Sequence, residues 1–156
     1  MNYNILFNKK LYQIIFMLII GIFIAIFFTI NKEYWKQFES LKNNKFRLIV
    51  NKLLIPISVV LYLGVVALPM FRDIPYIKRN SYVVINDAVV VQEVTDGGLL
   101  GLFKTIIVSY NDEEYELNVL KTVGEIEEGD IVKVTYLPNS EYAVIEKITE
   151  SKDKEY

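Results

Sequence analysis

The sequence predicts a membrane α-helical hairpin of two transmembrane helices, followed by a small all-β domain of five strands built as a barrel or a sandwich. Three observations predict it. Two long uncharged runs, residues 11–30 and 53–70, lie in the first half of the chain. From residue 80 onward the apolar residues stop running continuously and begin to alternate, which is the period of strands. Charge divides at the same place. Residues 1–79 carry eleven Lys and Arg against three Asp and Glu, and residues 80–156 carry six against sixteen, so the net charge of −2 is made of +8 and −10.

The first run, LYQIIFMLIIGIFIAIFFTI, is as long as the roughly 20 residues a helix needs to cross about 30 Å of hydrocarbon. Its fourteen Leu, Ile and Phe residues favour insertion by about 4 to 8 kcal/mol, with Gln13 the main opposing residue. Lys9 and Lys10 precede it, as they would a signal peptide. The run is too long for one, however, and no small-x-small cleavage site follows. In the second run Pro56 predicts a kink, with Ser58 placed to hydrogen-bond a carbonyl the proline frees. Gly21 and Ala25 put small residues on one face of the first helix, and Gly64 with Ala67 offer a small surface on the second, so these four are the candidate helix-packing residues.

Between the runs, the basic connection 31–52 mixes Tyr34, Trp35, Phe38, Leu41 and Phe46 with lysines. The three-residue step Trp35, Phe38, Leu41 predicts a short amphipathic helix at the headgroups, with Trp35 and Phe38 as membrane or partner contacts. Lys32, Lys36, Lys42, Lys45, Arg47 and Lys52 make this connection the denser cationic loop. The opposite side carries almost as much positive charge in Lys9, Lys10, Arg72, Lys78 and Arg79. The denser loop favours the cytoplasm, which would place the C-terminal domain of this multi-pass cell-membrane protein on the extracytoplasmic side, whereas Lys9 and Lys10 before the first helix argue for the reverse.

The acidic domain spans residues 80–150, and 151–156 form a charged tail. Tyr82 to Ile85 and Ala88 to Val94 predict one bulged strand, and Phe103 to Tyr110 a second after an Asp96-Gly97-Gly98 turn. Asn111 to Glu113 form the next turn. Glu114 to Val119 then alternates, with Tyr115, Leu117 and Val119 on one face. In Ile131 to Tyr136, Val132, Val134 and Tyr136 point one way and Lys133 and Thr135 the other. Pro138-Asn139-Ser140 turns the chain into a last strand, Glu141 to Ile148. Five short strands joined by tight turns predict a barrel of the oligonucleotide-binding-fold (OB-like) shape, or an equally small sandwich.

Residues Ile107-Val108-Ser109-Tyr110-Asn111-Asp112-Glu113-Glu114-Tyr115-Glu116-Leu117, followed by Gly129-Asp130-Ile131-Val132-Lys133-Val134-Thr135-Tyr136-Leu137-Pro138, carry a resemblance. They resemble a widespread group of uncharacterised bacterial membrane proteins that join one or two transmembrane helices to a small β-barrel-like domain with a G-D-x-V-x-V-x-Y-x-P strand. The resemblance implies a membrane setting and a β-barrel-like domain, and it lends no activity. In many of those proteins the β-domain lies between the helices, whereas here it follows both.

The chemistry that the composition excludes is broad. Zero Cys and zero His remove thiolate nucleophiles, the usual zinc ligands and the side chain that titrates nearest neutrality. Neither Glu-rich turn, Asp112 to Glu116 or Glu125 to Asp130, has the alternate-ligand order of a calcium loop. The charge of −10 on residues 80–156 repels nucleic-acid phosphate. No cofactor motif is present, and the glycines near residue 98 lack the Lys-Ser/Thr of a phosphate loop. Leu99, Leu100, Leu102 and Phe103 form an apolar loop that either meets the bilayer or a membrane partner, or plugs one end of the barrel.

These residues lead to the expectation of a non-enzymatic accessory or regulatory binding subunit of a membrane complex. Its partners would be the lipid bilayer and either a membrane protein or a second copy of itself. An immunity-type protein against a membrane-active toxin fits the same residues, and a membrane-tethered hydrolase or metal-binding domain using the Glu-rich loops is the rival from another class.

Overall fold

A computed structural model describes residues 1–31, 34–35, 45–95 and 104–148. Two long apolar helices are followed by a closed five-stranded β-barrel. By internal contacts the chain divides into two compact units, Asn8–Arg72 and Met1–Phe7 with Asp73–Tyr156.

The first unit holds most of α1 (Tyr3–Ile30), α2 (Lys45–Tyr62), a π turn (Leu63–Ala67) and α3 (Leu68–Arg72). Of the most apolar 18-residue windows of the two long helices, only 6 % and 11 % of residues are buried, unlike the core helices of a water-soluble protein. Both are long and apolar enough to cross a membrane. From Leu11 onward the shielded residues of α1 recur at Leu11, Ile14, Leu18, Gly21, Ala25 and Phe28, alternating steps of three and four that make a narrow seam. A Cβ placed on Gly21 would lie 3.4 Å from Cγ2 of Val59, so the glycine sets how closely α2 passes.

Pro56 sits inside α2, where it leaves the carbonyl four residues back without its helical donor. The Ser58 hydroxyl donates instead to the Ile55 carbonyl at 2.7 Å, so it serves a different carbonyl from the one Pro56 frees. Further along, the helix widens to a π turn closed by the Leu68 N–H on the Leu63 carbonyl. Pro69 follows at once. Its ring crowds the carbonyl four residues back in an α turn, and one wider turn relieves that crowding.

The second unit is the barrel with its two flanking segments. Asp73 breaks the helix, α4 (Ile74–Arg79) follows with Pro75 in its first turn, and Asn80 ends it in the left-handed region at φ 52°. The strands are β1 (Val83–Thr95), β2 (Thr105–Tyr110), β3 (Glu113–Val123), β4 (Ile131–Tyr136) and β5 (Tyr142–Lys147). Their order is β1-β2-β3-β5-β4, and β1 pairs with β4 to close the ring. All pairings are antiparallel except β3 with β5. The order and closure are those of the OB-like alternative, not the sandwich.

Local chemistry explains the joints. β1 bulges between Ile85 and Ala88, where Asp87 takes φ 58°, and this bend lets one long strand pair first with β4 and then with β2. Asn111 and Asp112, at φ 53° and 63°, are the residue types that tolerate the two left-handed positions of a tight hairpin. Inside the ring, Ile85, Val90, Ile106, Val108, Leu117, Val132, Val134 and Ile145 form the core, and Tyr115, Val119 and Tyr136 pack on it. Tyr115, Leu117 and Val119 of β3 and Val132, Val134 and Tyr136 of β4 lie at the core as the alternation in their sequences expects, but Thr135 on the other face of β4 is buried as well.

Candidate functional site

Closure leaves the barrel with no open edge, so recognition has to use its outer wall or its ends. On β4, Lys133 and Thr135 stand two residues apart on the face opposite the core residues Val132 and Val134, Lys133 half-buried and Thr135 buried. Their neighbours across the strands are Glu146 of β5, in register with Lys133, and Val84 of β1, in register with Thr135. The Lys133 ammonium lies 3.9 Å from the Glu146 carboxylate, at the outer limit of an ion pair. That carboxylate is bound more tightly by the Tyr3 hydroxyl, which donates to it at 2.6 Å.

The segment before β1 completes the surroundings. Asn4 donates through its amide to the Ile77 carbonyl at 3.0 Å and to Asn80 Oδ1 at 2.7 Å. The Tyr82 hydroxyl donates to the same Asn80 oxygen at 3.1 Å. Burial raises the Tyr82 phenol above its ordinary pKa, and the contact with Asn4 opposes that rise. The Tyr82 ring packs against Phe7 at 4.9 Å and edge-on to Tyr3 at 6.1 Å.

These side chains bound an open groove of about 640 Å³, lined by Tyr3, Asn4, Tyr82, Val84, Lys133 and Thr135 among others. Thr135 is its unusual member. The residue is 1 % exposed, and its hydroxyl is the buried side-chain polar atom, among the described residues, that has no hydrogen-bond partner. Leaving a buried hydroxyl unpaired costs about 1–3 kcal/mol. Such an atom beside a groove calls for a physical explanation.

A second constellation fixes the flank of the barrel. Asp73 is fully buried, and its carboxylate accepts four hydrogen bonds from the turn between β4 and β5. The Asn139 N–H and side-chain amide donate at 3.1 and 2.6 Å. The Ser140 N–H and hydroxyl donate at 2.8 and 2.6 Å. The turn residues Asn139 and Ser140 mark a turn by composition, but nothing in the sequence near Asp73 indicates that its partners lie 66 and 67 residues away.

The residues singled out in the sequence are placed as follows. Gly21 faces Val59, Ala25 continues the seam of α1, and Ala67 is buried. Gly64 is exposed in the π turn, and a Cβ there would meet nothing within 4 Å. Trp35 is 7 % exposed, and its indole N–H donates at 2.7 Å to the Phe28 carbonyl near the end of α1. Tyr34 and Trp35 stack edge-on around Phe28, so the aromatic pair caps the helix end. Phe38, Leu99, Leu100, Leu102 and Phe103 lie outside the described residues.

The Glu-rich loop before β4 is organised around Asp130. Its carboxylate accepts the Glu127 N–H at 2.8 Å and pairs with the Lys147 ammonium at 2.7 Å. Those two contacts, the lysine first, hold the Asp130 carboxyl below its usual range, and the same pair raises Lys147. Among the described residues, no three Asp, Glu, His or Cys side chains converge in a way that could hold a metal ion. Comparison with protein-family models, with curated proteins and with solved structures finds no match to this chain.

Proposed function

We propose that this chain is a non-catalytic integral membrane protein, an accessory or regulatory binding subunit that anchors through its two helices and recognises its partner through the barrel. The observation that carries this reading is the exposure of the hairpin. With 6 % and 11 % of the apolar windows buried, the helices leave most of their side chains for lipid or for other helices. The barrel supports the same reading, because its wall groove gathers Lys133, Thr135 and the tyrosines. The basic connection favours the cytoplasm and the barrel the opposite side.

Affinity capture of the tagged full chain in mild detergent tests the role. Stoichiometric recovery of a membrane protein is expected, and recovery of the chain alone or as a self-oligomer refutes an accessory subunit. Orientation is tested separately with an impermeant thiol reagent on intact cells, using Glu114→Cys in this cysteine-free chain. Glu114 is exposed on β3, whereas Asn139, an otherwise attractive turn position, is engaged with Asp73. Labelling is expected; labelling only after permeabilisation would reverse the assignment.

A further inference from the structure

We propose that the wall groove of the barrel binds a phosphodiester carried on a small apolar or glycerol-like backbone, as in a phospholipid headgroup or a free glycerophosphodiester. Two donors define the polar end. The Thr135 hydroxyl has no partner among the described residues, although it is buried beside the groove. Lys133, on the same face of β4, has three ammonium protons and, among the described residues, one distant carboxylate at 3.9 Å. Along a strand, side chains two residues apart stand about 7 Å from each other, so a flexible lysine and a threonine converge on one tetrahedral oxyanion.

The apolar end is equally defined. Val84, the cross-strand neighbour of Thr135, is 47 % exposed, and the Tyr82 ring lines the groove next to it. This juxtaposition suits an amphiphile, whose carbon backbone rests on Val84 while its phosphate reaches the two donors. Glu146 sets the charge of the ligand. Its carboxylate already accepts the Tyr3 hydroxyl and stands near Lys133, so it disfavours a dianion and leaves the site matched to a singly charged phosphodiester.

Native mass spectrometry of the full chain in detergent, with added phosphatidylglycerol, tests the proposal. Retention of one lipid is expected, with a loss of at least about tenfold in apparent affinity in Thr135→Val and in Lys133→Met. Lys121→Met, in the separate groove formed by β3 and the loop after it, is expected to retain the lipid. Equal retention by the wild type and both groove variants would mean adventitious annular lipid and would overturn the proposal. Equal retention of diacylglycerol, which lacks the phosphate, would do the same. Should a groove variant fail to fold, Glu146→Gln keeps both donors and is expected to bind more tightly; unchanged or weaker binding counts against the site. Added glycerophosphoglycerol, a soluble phosphodiester, identifies the source: displacement of the lipid points to a soluble phosphodiester, and persistence of the lipid to a headgroup.

Discussion

The hairpin and the barrel spend the same apolar side chains in opposite ways. In the barrel, eight Val, Ile and Leu residues close into a ring-enclosed core, and the outer wall carries most of the charge. In the hairpin, large residues such as Phe16, Phe23 and Ile30 point outward, and only a seam one residue wide is shielded. The difference shows that burial within a protein is one way among others to remove apolar surface from water. A barrel in water has to supply its own cover, whereas a membrane helix takes its cover from lipid.

The comparison breaks most sharply where one substitution is made on both sides. Ile145→Ala in the barrel is expected to cost about 2–5 kcal/mol, because it empties a fully buried site. Phe16→Ala removes a larger side chain from the exposed face of α1 and is expected to change stability by less than about 0.5 kcal/mol, since lipid or detergent refills the space. Denaturant titration in detergent, followed by circular dichroism, reads both. Equal losses would mean that the hairpin has a core of its own.

Asp73→Ala comes next, at about 2–3 kcal/mol. It removes the acceptor of the buried Ser140 N–H and hydroxyl and of the exposed Asn139. Hydrogen exchange at the turn between β4 and β5 is expected to speed up before exchange in β2 and β3 does. Uniform acceleration would show that the clamp supports the whole barrel and not its flank.

A smaller effect has the opposite sign. Thr135→Val replaces the unpaired hydroxyl with a methyl group of similar shape, so the ligand-free barrel is expected to gain about 1 kcal/mol. A loss in the same denaturant titration would mean that the hydroxyl is satisfied in solution. The smallest effect is electrostatic. Asp130 has a lowered pKa, so its contribution is present above the unfolded carboxyl value of about 3.9 and disappears as the pH falls through the folded value. Lys147 is raised, so its share is complete below about 10.4 and is lost as the pH rises through its folded value. Asp130→Asn should flatten the acid limb of a stability-against-pH curve, and an unchanged limb would remove the pair from the account.

Much of the fold could be read from periodicity because periodicity reports which faces are buried. The alternation of Tyr115, Leu117 and Val119, the shared face of Lys133 and Thr135, the bulge ahead of Ala88 and the turn at Asn111 all have local causes, and the structure carries each of them. The interactions that were illegible are the ones without local causes. Asp73 looks like an ordinary helix-start residue before Ile74-Pro75, yet its side chain serves a turn far along the chain. Tyr3 and Asn4 lie ahead of the apolar run that begins at Leu11, and nothing local marks them as partners of Glu146 and Asn80. Lys133 and Thr135 could be assigned to a face, but the free hydroxyl and the groove depend on what β1 and the N-terminal residues bring to that face.

Ring closure between β1 and β4 also orders events during synthesis. Val83 pairs with Tyr136, and Asn118 of β3 pairs with Tyr142 of β5, so neither contact can form until the last strands have been made. At about 5–20 residues per second, the 52 residues from Thr95 to Lys147 take roughly 3–10 s to follow β1. Until β4 has been made, β1 keeps Val83, Val84 and Ile85 on an unpaired edge, the kind of template on which nascent chains aggregate. Both long helices precede it in the chain, so their insertion in a membrane, as proposed, would hold this strand apart from its neighbours while it waits for its partners.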